Sequence, residues 1–290
     1  MAGEQSPLLP LFDLQSPSQG LFVGQPGEDP RSRLFGGHVL AQALAAACFS
    51  VEGVPCHSLH AYFLRPGKPG RPIEYEVLAM RDGQSFITRK VIAVQRDEVI
   101  VELVASFAQD EPGAEHQRTM PDTPGPETFP DEEQRIARML AQAPPEMHEM
   151  VRQKRPIEGI RVDERSFTER AASKGPVRTW MRARGTLLDD PNLHRCALTY
   201  ASDMGALEPS MRAIGAGFGD AEMQVASLDH AVWFHRPFRF DDWLLFVFES
   251  DSVAGGRGLS RGSIYSRDGK LVASLAQEGV MRKRSAQTPF

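Results

Sequence analysis

The chain has 290 residues, enough for one large domain or two of ordinary size. With 41% hydrophobic and 24% charged residues it has the balance of a globular protein with a substantial core, and a net charge of −5 argues against nucleic acid as a partner. No apolar run approaches the ~18 residues of a membrane span, and the N-terminal MAGEQSPLLPLFDLQ lacks the basic-then-apolar layout of a secretory signal.

The cysteines, Cys48, Cys56 and Cys196, are odd in number and show no CxxC spacing, so reduced thiols in a cytoplasmic compartment are expected. The terminal Thr288-Pro289-Phe290 is not the peroxisomal Ser-Lys-Leu address.

In chain order, 21–23 reads as a short strand and is followed by a Gly/Pro/Asp loop through Arg33. Gly36-Gly37 then opens a helix over 35–50 whose residues from Val39 to Phe49 are almost all small or apolar. A helix apolar on nearly every side is buried nearly all round, and its alanines let surrounding backbone approach closely. Runs rich in Val, Ile, Phe and Tyr follow at 57–65, 73–80, 85–95 and 99–109, separated by short turns such as Arg96-Asp97-Glu98. One buried helix followed by an antiparallel meander predicts the hotdog arrangement, a sheet curled round a helix.

From 110 to 156 the composition changes: Pro112, Pro121, Pro124, Pro126 and Pro130 mark a connector, with surface helices expected over 131–143 and 146–154. Strands are expected at 157–162 and 177–184. A short apolar helix through 198–207 carries Asp203 and leads to a Gly-rich loop at 215–219. Four more strands are expected at 223–236, 243–250, 258–266 and 271–282. The expected organisation is therefore α+β: an N-terminal hotdog at 1–110, a connector at 111–156 and a C-terminal hotdog at 157–290. Phe63, Arg65 and Pro66 align with Phe234, Arg236 and Pro237, and Arg96-Asp97 with Arg267-Asp268, at one spacing of 171 residues. This spacing is preferred to a rival of 168 that aligns VASFAQ with VASLAQ, because it holds both the strand opening and the turn. Two such units would join their sheets edge to edge into one long sheet, which protects the edges.

At helical spacing Leu193, Cys196, Ala197, Tyr200, Ala201 and Met204 form one apolar stripe roughly 140° wide. Asp203 projects at its edge. A partly desolvated carboxylate there has either a structural partner or chemistry to do. On the last strand, alternation puts Leu271, Ala273, Leu275, Gln277, Gly279 and Met281 on one face, so Gln277 is an amide on a mostly apolar face and needs partners. It can donate and accept at once, which suits holding a water, although bonding to backbone near Gly279 is an equal reading. Its counterpart in the first half is Ser106, and the first helix contains no acid, so one site per chain follows.

Ser227 has no GxSxG setting, so orienting a group suits it better than attack, and pattern does not settle its facing. His230 and His235 would face opposite ways on a regular strand, and no His/Cys/Asp cluster has metal-ligand spacing. There is no phosphate-binding GxxxxGK[ST] loop. Arg257, Arg261 and the run Arg282 to Arg284 are solvated strand ends or contacts for a polyanion such as coenzyme A.

The segments RLFGGHVLAQAL, HSLHAYFLRPG, YASDMGAL, SLDHAVWFHRPF and LAQEGVMR, in this order and spacing, resemble the type II acyl-CoA thioesterase family from about Leu21 to Arg282. The resemblance implies a double hotdog that hydrolyses acyl-CoA, of medium or long chain, to free fatty acid and coenzyme A without a cofactor. It further implies that an Asp, a Ser or Thr, and a Gln hold the attacking water, at the positions of Asp203, Ser227 and Gln277. His57 matches a histidine considered functional in relatives. His38 stands where relatives often carry Gln, and Met204-Gly205-Ala206 is smaller than bulkier versions of that segment. Backbone N–H groups near Gly37 are candidate donors to the developing oxyanion. A homodimer or homotetramer is the expected assembly. The alternatives are a non-catalytic acyl-CoA-binding protein, against which the presence of all three residues argues, and an enoyl-CoA hydratase on the same fold. The latter wants a His a few residues beyond the acid, and Met204 to Ser210 contain none.

Overall fold

A computed structural model describes residues 4–26, 33–143, 145–163, 172–173, 175–217, 220 and 222–284. In chain order the elements are β1 (Gln15–Ser18), β2 (Leu21–Gly24), α1 (Gly36–Phe49), β3 (Cys56–Phe63), β4 (Ile73–Asp82), β5 (Ile87–Gln95) and β6 (Glu98–Phe107). The connector then carries α2 (Glu132–Gln142) and α3 (His148–Arg152). The second half comprises β7 (Ile157–Arg161), β8 (Val177–Ala183), α4 (Pro191–Ser202), α5 (Glu208–Ala213), β9 (Met223–Ser227), β10 (Asp229–Phe234), β11 (Leu244–Ala254), β12 (Arg257–Ser266) and β13 (Leu271–Lys283).

The strands form one continuous sheet in the order β1-β2-β4-β5-β6-β3-β10-β13-β12-β11-β8-β7, with β9 pairing along β13. The halves join where β3 lies antiparallel to β10, from Asp229 opposite Tyr62 to Trp233 opposite Ser58. This is the double hotdog. Each inner edge strand is covered by the other half, so neither is left as an open template for pairing. Helix α1 is buried from Gly37 to Ala47, as an all-apolar helix demands, and its alanines bring it against both β5 and α4. Helix α4 starts on a Pro at its first position and an Asp190 cap, whose carboxylate accepts from the Asn192 N–H at 2.8 Å. No helix of the described residues is long and apolar enough to cross a membrane.

Three expectations need correction. The helix expected through 198–207 ends at Ser202, and Asp203 is its C-terminal cap. Gly205 then turns the chain at φ 85° into the separate helix α5. The strand expected at 223–236 is broken at Leu228 into β9 and β10. The second connector helix is shorter than expected, and part of the Gly-rich loop at 215–219 lies outside the described residues.

The Glu208 carboxylate of α5 is buried between Arg161 of β7 and Arg212, whose Nε donates to it at 2.9 Å. Burial acts to raise its pKa, but the two guanidiniums outweigh it and hold the carboxyl below the usual range. A depressed carboxylate stabilises the fold above its unfolded pKa, and that stability fades as pH falls through the lowered value. Removing one partner of a fully buried ion pair costs about 3–5 kcal/mol. The Arg161 side chain is 41% exposed, so Glu208→Ala is expected to cost about 2 kcal/mol in urea unfolding at neutral pH, and less in acid.

Candidate active site

Asp203 stands where the two halves meet end to end. It caps the C-terminus of α4, the negative end of that helix's dipole, and faces the positive N-terminal end of α1. The Gly37 N–H donates to Asp203 Oδ2 at 2.9 Å. The glycine pair makes this approach possible: a Cβ on Gly36 would lie 2.8 Å from Asp203 Oδ2, and one on Gly37 would lie 2.3 Å from the Tyr200 carbonyl oxygen.

Gln277 reaches the same carboxylate from β13. Its amide is 1% exposed. Its Nε2 donates to Asp203 Oδ1 at 2.9 Å and to Ser227 Oγ at 2.6 Å, so both amide hydrogens have acceptors. Asp203 is thus held on both oxygens, and the Ser227 hydroxyl, accepting from Gln277, keeps its own hydrogen to donate.

The facing of Ser227 comes from the break at Leu228. Ser227 lies opposite Gly279 on β13, and Ala231 lies opposite Ala276 on the same strand. One extra residue therefore sits on the β9–β10 side, which is a bulge. Inserting one residue reverses the alternation of every side chain beyond it. As a result Ser227 and His230, which would face opposite ways on a regular strand, both turn to Gln277. His230 is wholly buried, with Nδ1 2.6 Å from Gln277 Oε1 and Nε2 2.8 Å from Ser202 Oγ. Burial pushes its pKa below the usual imidazole range, against the opposing pull of Asp203, of the bond to Gln277 and of Asp229.

The other candidates lie in different settings. Gly37 is beside the trio, and its N–H donates to Asp203. His38, next in α1, is 3.1 Å from the Gln25 carbonyl oxygen through Nε2. With Phe35 and Tyr200 it lines a cleft of ≈ 880 Å³ whose lining also includes Lys154, Arg155 and Arg184 but not Asp203, Ser227 or Gln277. His57 is bonded to Ser106 at 2.8 Å, and burial lowers its pKa. Arg257 is exposed and paired with Glu278, and the exposed Arg261 is paired with Asp251. Sequence reasoning missed Ser202 and His230. On a regular strand His230, three residues beyond Ser227, would face away from it, so alternation gave no reason to join the two.

Two family models match the chain. One, described as acyl-CoA thioesterase, covers residues 155–280, and the other, described as the acyl-CoA thioesterase N-terminal domain, covers 26–108. The acyl-CoA thioesterase 2 of Haemophilus influenzae is 36% identical over 95% of this chain and 96% of its own. The acyl-coenzyme A thioesterase 8 of Mus musculus is 39% identical over 94% of this chain and 88% of its own. Among solved structures, the acyl-CoA thioesterase II TesB2 of Mycobacterium marinum superposes with a TM-score of 0.76 at 36% identity, covering 97% of this chain and 98% of its own. The two family matches fall on the two halves of the sheet, and the likeness to relatives runs through both: the chain belongs to the acyl-CoA thioesterase family.

Proposed function

We propose that Asp203, Ser227 and Gln277 hold and deprotonate the water with which this thioesterase hydrolyses a fatty acyl-CoA to free acid and coenzyme A. The observation that carries the reading is the Gln277 amide, which bridges Asp203 Oδ1 and Ser227 Oγ with its two hydrogens. That bridge sets a carboxylate, which can accept a proton, beside a hydroxyl, which can donate and accept, the pairing that a reacting water needs. Asp203 takes a proton from the water, and the oxygen attacks the thioester carbonyl carbon. The tetrahedral oxyanion then collapses, breaking the carbon–sulfur bond, and the thiolate leaves and recovers a proton from Asp203. Positioned proton transfer of this kind contributes about 10²–10⁴-fold. No enzyme-bound acyl intermediate is required.

Medium- and long-chain acyl groups are the proposed substrates, and a cytoplasmic homodimer or homotetramer is the proposed form. The exposed apolar side chains Tyr62, Leu64, Met80, Phe86 and Val104 of the N-terminal half support assembly. We further propose that 1–110, 111–156 and 157–290 act as a hotdog, a connector and a second hotdog. Incubation with decanoyl-CoA and a thiol reagent tests the function: stoichiometric release of free thiol is expected. Binding without thiol release would favour the non-catalytic reading, and hydration of an enoyl-CoA without thiol release would favour a hydratase.

A further inference from the structure

Gln277 can serve Asp203 in only one of its two amide orientations. With Nε2 toward Asp203 it donates; turned by 180° it would set its carbonyl oxygen against a carboxylate, acceptor against acceptor. The amide's other end decides which orientation is held. Its Oε1 lies 2.6 Å from His230 Nδ1, and His230 is fully buried. A donor at Nδ1 locks Oε1 in place and Nε2 with it.

The imidazole is oriented in turn. Burial disfavours its charged form. A neutral ring with hydrogen on Nδ1 has an acceptor at Nε2, and the Ser202 hydroxyl lies 2.8 Å from it. Ser202 Oγ is also 2.8 Å from the Thr199 carbonyl oxygen. The hydroxyl has one hydrogen for two acceptors within reach; because Gln277 Oε1 requires the ring hydrogen on Nδ1, Nε2 carries none and is the acceptor that the hydroxyl serves when the series is complete. Every donor then runs one way: Ser202 to His230, His230 to Gln277, and Gln277 to Asp203 and Ser227. Because Ser202 and Asp203 are consecutive, the series closes into a ring through one peptide unit of α4.

We propose that His230, oriented by Ser202, is a positioning residue for thioester hydrolysis: it fixes the Gln277 amide so that its N–H groups face Asp203 and Ser227. The proposal rests on the reading that this trio holds the attacking water. His230 acts through Gln277 and has no assigned contact with substrate.

The test compares His230→Leu, His230→Asn, Ser202→Ala, Gln277→Ala and the double variant His230→Leu/Gln277→Ala by steady-state thiol release from decanoyl-CoA. Misplacement of a catalytic group by about 1 Å can cost about 10²-fold. His230→Leu is expected to lower kcat by about that factor with KM within about twofold of wild type. Asparagine carries an N–H close to the position of Nδ1, so His230→Asn is expected to recover most of the loss. Ser202→Ala frees the ring to change tautomer and is expected to lower kcat several-fold, and it serves if the larger replacement does not fold. In the Gln277→Ala background His230→Leu is expected to cost no more than about two- to threefold, since its route is already gone. Wild-type kcat in both His230→Leu and Ser202→Ala, an Asn variant as slow as Leu, or losses that multiply in the double variant would each overturn the positioning role. Normal kcat in Gln277→Ala would instead remove the trio reading beneath it.

Discussion

Asp203→Asn is expected to lower kcat for acyl-CoA hydrolysis by at least about 100-fold while the protein still folds, with its thermal unfolding transition lowered by the hydrogen bond it loses. An amide cannot take a proton from water at neutral pH, so the basic function is lost outright. The isosteric change keeps the volume at the end of α4. It cannot keep both hydrogen bonds, because Asp203 accepts on one oxygen from Gly37 and on the other from Gln277. Whichever way the new amide turns, its N–H group opposes another donor. Measuring kcat and KM by thiol release, with the unfolding transition alongside, separates lost chemistry from lost fold. Turnover near wild type would remove Asp203 as the base.

Gln277→Ala is the second large loss. The amide joins three groups, since Nε2 serves Asp203 and Ser227, and Oε1 faces His230. Its removal leaves the carboxylate and hydroxyl to find their own orientations and strands a buried imidazole N–H. A fall of about 10²-fold in kcat is expected, the magnitude of removing one preorganised donor. A stability loss of about 1–3 kcal/mol should accompany it, from the unsatisfied buried donor. Urea unfolding and steady-state kinetics on the same variant check both. A stability loss with unchanged kcat would show that Gln277 holds the fold together without serving the chemistry.

Much of this architecture was legible because the chemistry of the chain is locally consistent. An alanine-rich helix with no polar face has only one place to go, and α1 is buried from Gly37 to Ala47. Alternation along the last strand placed Gln277 inward, and it is 1% exposed. The duplication, read from Phe63-x-Arg65-Pro66 and its second copy, anticipated the two joined halves. What stayed hidden was whatever depends on a single residue's offset. The bulge at Leu228 has no Gly or Pro to announce it, yet it decides that Ser227 and His230 share a face. The end of α4 was similarly obscure: the apolar stripe runs on past Ser202, while Gly205 at φ 85° shows where the helix stops. The glycine pair at the start of α1 could be read as a helix opening. That a carbonyl and a carboxylate crowd against it becomes evident only once α4 is in place.

The meeting of α1 and α4 has a consequence for how the two copies divided their labour. All three side chains of the proposed water site belong to the second copy, and the first copy's helix carries no acid of its own. Yet the backbone of that helix grips the second copy's carboxylate through Gly37. The first copy thus serves as an anvil for the second: with no acid on its helix, it supplies the backbone against which the proposed base is held. A change on α1 that shifts its first turn by a fraction of an ångström therefore acts on the carboxylate directly, although no side chain of that helix takes part in the proposed chemistry.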